Sequence, residues 1–542
     1  MNNTVASLIV DSLIANGIEN LYCVPGVQND HFFNALFDRQ DRLKPIQTRH
    51  EQGAAYMALG AALATGKPQA FALVPGPGFL NGCAALCTAY ALNAPVFGVI
   101  GQIPSAAIGK GLGLLHEIEG QFETLQTLTK YAERIVTGAD AARQLESVWN
   151  ALHTGRPRPV AVEVPVDVWL QKAAYQADSL RVSTPRAKAV DPAQIAAAVQ
   201  LIQAAKCPLI AVGSGAQDSS ALIREFASRV SAGVMAFRTG HGVLDSNDSL
   251  SITMPVGHKL WQECDLVIGL GTRLAAQKNE WGVDEDLKIL QIDLDESELN
   301  RIKPASVGIH GELKTVLPAI TSSLGQQTDR SHWRQRISDE KSAFSAEISN
   351  RLEPQLNWLR AIRNALPEDG IFVDELTQIG YVSRFAFPTR SPRTFLSTGY
   401  QGTLGYGIAT GLGAAHARPD TPVVSIAGDG GAMFTIAELA TAAHHNIPLN
   451  VVVMNDNAFG NVKGIQRDKY DARYIASDLT SPDFTMLARS FGVSAARVSA
   501  PDALQAELEK AIANPGPNLI EVTVDEFPSP WEYILLPTIR GK

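Results

Sequence analysis

Short apolar runs alternate with helix-like stretches along almost the whole chain. "QAFALVPGPG", "PVFGVIGQIP" and "PVAVEVPVD" are examples, each closed by glycine, proline or a polar turn. These runs are apolar at successive positions rather than at every second one. A strand of that kind must be covered on both faces, which is the situation of a parallel sheet between two layers of helices. The expected fold is therefore α/β, with parallel sheets flanked by helices in Rossmann-like domains. At 542 residues the chain exceeds what one core can serve. The alternation breaks twice, giving three domains at 1–172, 190–325 and 351–527 and a tail at 528–542. "KAAYQADSLRVSTPRAKAV" loses periodicity and reads as a linker over 173–190. "QQTDRSHWRQRISDEKSAFSAEI" reads as a polar helical connector over 326–350.

Hydrophobic residues are 45%, charged residues 19% and net charge is −9, an ordinary soluble balance with no basic excess for nucleic acid or an anionic membrane. Five cysteines, odd in number, fit a reducing cytoplasm; Cys83 and Cys87 read as buried packing. No basic residue precedes Arg39, so no export signal is expected. The most apolar stretch, "GCAALCTAYALNAPVFGVIG", contains Asn93 and Pro95 and reads as a helix followed by a strand, not a membrane span.

The first and third blocks echo each other. "RHEQGAAYMALGAALATGKPQAFALVPGPG" and "YQGTLGYGIATGLGAAHARPDTPVVSIAGDG" share spaced glycines, a basic-proline turn, an apolar strand and a glycine-rich turn. A duplicated α/β unit explains that layout. The copies differ at their chemistry: only the first opens with Glu51, and only the third carries Asp429 in its turn.

Asp429 belongs to "AGDGGAMFTIAELATAAHHNIPLNVVVMNDNAFGN". "TPVVSIA" is a strand ending in the Gly428–Ala432 turn. A helix follows, with Ile436, Leu439, Ala440 and Ala443 on one face and Asn446 as its C-terminal cap. His444 and His445 on that helix read as structural. "LNVVVM" is the next parallel strand and ends at Asp456. Open α/β sheets bind ligands beyond the carboxyl ends of their strands. Gly430 and Gly431 allow a phosphate close approach, and two carboxylates beside a phosphate need a cation between them. Mg²⁺ takes oxygen ligands, and Asp429 and Asp456 supply two.

"GDG", 24 intervening residues and "NDNAFGN", paired with "TRHEQGAAYMA", resemble the signatures of thiamine diphosphate-dependent enzymes. "CVPG", "GQIP", "LTKYAERI" and "GRPRPVAVEVPVDV" fall in the order seen in acetolactate synthases, with similarity also to benzoylformate decarboxylase and benzaldehyde lyase. The resemblance spans nearly the whole chain. It implies that the first domain binds the aminopyrimidine and the third the diphosphate and Mg²⁺. Asp429, Asp456 and the Ala458 carbonyl would be the protein's metal ligands, with Asp456 where the family usually has Asn. Thr377, Gln378, Gly428, Gly430, Gly431 and Ala432 would surround the diphosphate. Gly402 and Leu404 would hold the cofactor bent, and Asn461 and Val462 would line the pocket.

By the same resemblance Glu51 is the activating acid, while Gln28 and His116 face the substrate; Val74 stands near where benzoylformate decarboxylase has a histidine. The activity implied is decarboxylation of a pyruvate-like 2-oxo acid and ligation of what remains to a second carbonyl. A 2-oxo acid decarboxylase or 2-hydroxy ketone lyase is the alternative, and a non-catalytic thiamine diphosphate sensor is another. The middle domain could hold FAD, as in synthases, or be empty. The family builds each site between two chains, so a homodimer or homotetramer is expected.

Overall fold

The computed structural model describes residues 3–183 and 189–541. Its framework is three six-stranded parallel sheets covered by helices, the α/β architecture expected from the apolar runs. The first sheet contains β1 (Asn20–Cys23), β2 (Lys44–Gln47), β3 (Gln69–Leu73), β4 (Val96–Gln102), β5 (Tyr131–Arg134) and β6 (Val160–Pro165), in the order β2-β1-β3-β4-β6-β5. The central β4 and β6 are buried at every position, as an apolar run between two helix layers must be. The edge strand β2 buries only Ile46, and its polar composition hides it from a reading of apolar runs.

The third sheet contains β13 (Ile371–Val373), β14 (Phe395–Leu396), β15 (Val423–Gly428), β16 (Leu449–Asn455), β17 (Ser494–Val498) and β18 (Asn518–Thr523). Its order, β14-β13-β15-β16-β18-β17, repeats that of the first sheet strand for strand. The duplication read from the two echoing segments is thus matched by topology. The echoing helices, Glu51–Thr65 and Tyr406–Ala417, each precede the third strand of their sheet, and they pack on each other in one core.

The middle sheet contains β7 (Pro208–Val212), β8 (Gly233–Ala236), β9 (Ser251–Ile252), β10 (Leu266–Leu270), β11 (Lys288–Asp293) and β12 (Val307–His310). Its order, β12-β11-β10-β7-β8-β9, is the doubly wound one, with the switch point between β7 and β10.

The polar connector is the helix Ser331–Arg351, which buries Trp333, Ile337, Phe344 and Ile348 along one stripe. Part of the expected linker, Thr184–Lys188, lies outside the described residues. Before it, Asn16 holds the Leu180 carbonyl and the Val182 N–H at 2.9 and 3.0 Å. The tail runs from the third domain onto the middle one, where the Arg540 guanidinium pairs with Asp284 at 2.6 Å. Among the described residues no helix is long and apolar enough to cross a membrane.

Candidate active site

β15 delivers Gly428 and then Asp429 to the carboxyl edge of the third sheet, and the chain turns at once into the short helix Asp429–Ala432. Glycines are required here by packing. A Cβ on Gly430 would lie 2.5 Å from the Phe459 ring, and one on Gly431 would run into the Glu375 carboxylate. The neighbouring β16 ends at Asn455, which places Asp456 beside the same turn. The Ser481 hydroxyl donates to Asp429 Oδ2 at 2.6 Å, and Gln378 Nε2 donates to Asp456 Oδ2 at 2.7 Å.

Burial raises both carboxyls above their ordinary range, and the Asp429 charge raises Asp456 further. Among the described residues neither acid is in an ion pair with Lys, Arg or His. Two buried carboxylates that repel each other beside a glycine turn have the donor set that Mg²⁺ takes. Ala458 lies on the same loop, two residues after Asp456. Asn457 accepts from the Leu479 N–H, and the Phe459 N–H donates to Ser477, both at 2.8 Å. In an extended ladder the intervening residue turns its N–H and C=O to the opposite edge. The Ala458 N–H accordingly reaches Asp456 Oδ1 at 3.2 Å.

These residues surround a cavity of about 210 Å³. Of the sequence-predicted residues, Thr377, Gln378, Leu404, Gly428, Asp429 and Gly430 line it. So do Gly431, Asp456, Ala458, Asn461 and Val462. Ala432 is buried behind the turn, and Gly402, at φ 57°, stands outside the wall. Phe459, inside the "NDNAFGN" motif but given no role there, also lines it, as do Tyr381 and Phe527, which carried no motif to announce them. Gln378 also braces Asp456. Its amide is spent inward, Nε2 on Asp456 and Oε1 on the Phe527 N–H at 2.9 Å. A carboxylate has no donor of its own, so Asp456 needs one beside it where an asparagine would not.

The helix after the turn also differs from the expected one. The chain passes through Met433 and Phe434, both about half exposed, and a 3₁₀ turn at Ile436–Glu438 before the helix Leu439–His445 begins. The tighter turn shifts the phase. Ile436, Leu439 and Ala442 are buried, whereas Ala440 and Ala443 are only partly so. Asn446 caps the helix in the left-handed region, and His444 and His445 bond Gln47 at the edge strand β2.

Glu51, Gln28 and His116 lie in the first domain and do not line this cavity. Glu51 opens its helix, and its Oε2 accepts from Asn81 Nδ2 at 3.0 Å beside Val74 and Gly78. Gln28 and His116 do come together, Oε1 to Nδ1 at 3.0 Å. Gln28 Nε2 donates to the Leu115 carbonyl at 3.0 Å, which fixes Oε1 as the atom facing the ring. His116 then donates from Nδ1 to Gln28 Oε1. The loop holds His116 at φ 66°. The apolar residues around it are open: Val27, Leu112 and Leu115 are 65%, 60% and 63% exposed.

Comparison with known proteins accounts for this arrangement. The N-terminal TPP binding domain of thiamine pyrophosphate enzymes matches residues 3–127, the central domain 195–320 and the C-terminal TPP binding domain 377–522. The chain belongs to the thiamine pyrophosphate enzymes. The probable acetolactate synthase large subunit of Methanocaldococcus jannaschii is 31% identical, across 96% of this chain and 92% of that one. The acetolactate synthase isozyme 1 large subunit of Escherichia coli and the probable 2-ketoarginine decarboxylase AruI of Pseudomonas aeruginosa are each 28% identical, across 96% of this chain and 94% of theirs.

Proposed function

We propose that this enzyme decarboxylates a small 2-oxo acid such as pyruvate, one with no charged side chain, and ligates the remaining fragment to a second carbonyl, using thiamine diphosphate and Mg²⁺. The cofactor supplies an electron sink for the bond that loses CO₂. Asp429, Asp456 and the Ala458 carbonyl would hold the metal, and the Gly428–Gly431 turn would take the diphosphate. Leu404 would prop the ring end, and Glu51 would hold and release the activating proton.

The observation that carries the reaction type is the Gln28–His116 pair. It would offer the substrate one ring nitrogen, Nε2, whose orientation Gln28 fixes. Val74 is buried where a decarboxylase has a histidine, and Val462 stands where another has an acid, so groups that would protonate the fragment are scarce. Likeness to a 2-ketoarginine decarboxylase favours plain decarboxylation as the second reading. Gln28, His116, Asn461 and Val462 offer no carboxylate for a cationic side chain, which argues against that substrate.

The same geometry supports an obligate dimer, with two half-sites per chain. Each chain presents Glu51 in one domain and the Asp429 cavity in another, each edged by exposed apolar side chains. Joining them across two chains covers both lips and completes each site. A flavin is not part of this reading. At the switch point of the middle sheet the Gly215 N–H bonds the Gly271 carbonyl at 3.2 Å, so the two loops meet backbone to backbone there. Colourless purified protein is the expected result.

Product analysis by NMR during pyruvate turnover tests the reaction. Acetolactate or acetoin should dominate, with little acetaldehyde, and His116→Ala should lower ligation more than CO₂ release. Acetaldehyde in stoichiometric yield with CO₂ would establish a decarboxylase. No turnover would move the substrate to a larger or aromatic 2-oxo acid.

A further inference from the structure

Glu438 is fully buried in the third domain, at the end of the 3₁₀ turn Ile436–Glu438. Its carboxylate reaches across to the first domain. Oε1 accepts the His50 N–H at 3.0 Å, and both oxygens accept the Arg49 N–H, at 3.3 and 3.2 Å. The Thr441 hydroxyl donates to Oε2 at 2.5 Å and fixes the carboxylate from its own side. Arg49 and His50 are the two residues before Glu51, and His50 is the N-cap of the helix that Glu51 opens. Gly53, on the first turn of that helix, sits so close that a Cβ there would run into Glu438 Oε1.

The backbone entering Glu51 thus leans on a carboxylate almost 390 residues further along the chain, as the separations of 388 and 389 residues record. Amides at a helix N-terminus point outward and carry partial positive charge, so a buried carboxylate both satisfies them and fixes where the helix begins. Asn81 orients the Glu51 side chain from the other side, through Oε2. The Glu51 backbone is set by Glu438 and its carboxylate by Asn81.

We propose that Glu438 is a positioning residue for Glu51, acting through the Arg49 and His50 amides. The proposal rests on the reading of Glu51 as the activating acid. Glu438 follows the Asp429 turn in the same chain. The strut therefore joins the turn that would hold one cofactor to the acid that chain would lend to its partner.

Glu438→Gln tests this at nearly constant volume, because an amide keeps one acceptor and turns a donor toward the remaining amide. Turnover should fall about 10- to 100-fold, the scale of a small misplacement of a reacting group. The KM for the 2-oxo acid and the thiamine diphosphate affinity measured by calorimetry should stay at wild-type values. In the cofactor-free protein, amide hydrogen exchange at Arg49 and His50 should accelerate. Combined with Glu51→Gln, the substitution should cost nothing further, since a residue acting only through Glu51 has nothing left to position. Should Glu438→Gln fail to fold, Gly53→Ala displaces the same carboxylate from the helix side, and the same turnover loss is expected. Wild-type turnover in the folded variant, or losses that multiply in the double variant, would overturn the proposal. Near wild-type turnover in Glu51→Gln alone would instead remove the reading beneath it.

Discussion

Gly60 and Gly413 face each other's helices in a reciprocal contact. A Cβ on Gly60 would collide with the Thr410 carbonyl, three residues before Gly413, and a Cβ on Gly413 would collide with the Met57 carbonyl, three residues before Gly60. The helices Glu51–Thr65 and Tyr406–Ala417 therefore cross about a local two-fold relation, backbone against backbone. This crossing joins the two echoing domains of one chain and fixes the ends from which Glu51 and Leu404 project.

Gly60→Ala should destabilise the protein. On an exposed helix this change would gain roughly 1 kcal/mol. Here the methyl group meets backbone, and overpacking of that kind costs about 1–3 kcal/mol. Urea unfolding followed by fluorescence should show a lower midpoint for Gly60→Ala and for Gly413→Ala. An unchanged or raised midpoint would mean that the helices have room to separate.

The contact was half legible in the sequence. Spaced glycines in both segments marked a duplicated unit, but not that the two helices meet each other. The same division holds elsewhere. β4, β6, β7 and β10 are apolar at successive positions and stand out, whereas β2 exposes Lys44, Pro45 and Gln47 and does not. Asp429 and Asp456 were visible because two strand ends carry them at a recognisable spacing. Glu375 and Glu438 were not, because their partners lie in other loops, 30 and 32 residues away for Glu375 and nearly 390 for Glu438. No local pattern encodes such pairings. The phase of the helix after the glycine turn was misread because a 3₁₀ turn advances the chain by a third of a circle per residue.

Asp429→Ala should abolish Mg²⁺-dependent binding of thiamine diphosphate in calorimetry, since it removes one of two carboxylates and leaves the other without a cation to face. Asp456→Asn should be milder, and milder still with Gln378→Glu, which gives the new amide an acceptor where Gln378 Nε2 now donates at 2.7 Å. Binding by Asp429→Ala at wild-type affinity would rule out the metal site.

Glu375 predicts a pH dependence. It accepts the Gly405 and Gly407 amides at 3.1 and 2.5 Å, yet burial pushes its carboxyl up to about 7 from an ordinary value of 4.5. Between those values the folded chain keeps a proton that the unfolded chain has lost, so this group's contribution to stability is fully present below pH 4.5 and falls as pH rises toward 7. Glu375→Gln removes that slope. The stability difference between wild type and variant should therefore shift in favour of the variant from pH 4.5 to 7.5 in thermal unfolding. A difference that does not change with pH would show that Glu375 titrates normally.

Mixing two inactive chains tests the central claim, that Glu51 of one chain and the Asp429 turn of another form a single site. Glu51→Gln alone should keep thiamine diphosphate affinity and lose turnover about 10²–10⁴-fold, the usual worth of a positioned proton-transfer group. Asp429→Ala alone should be inactive through loss of the cofactor. In a hybrid dimer one site carries both lesions and the other carries neither. With equal mixing and free exchange, half the dimers are hybrids with one competent site of two, so about a quarter of wild-type activity should return. Activity at that level is the predicted result. No recovery, with hybrid dimers confirmed by native mass spectrometry, would contradict it.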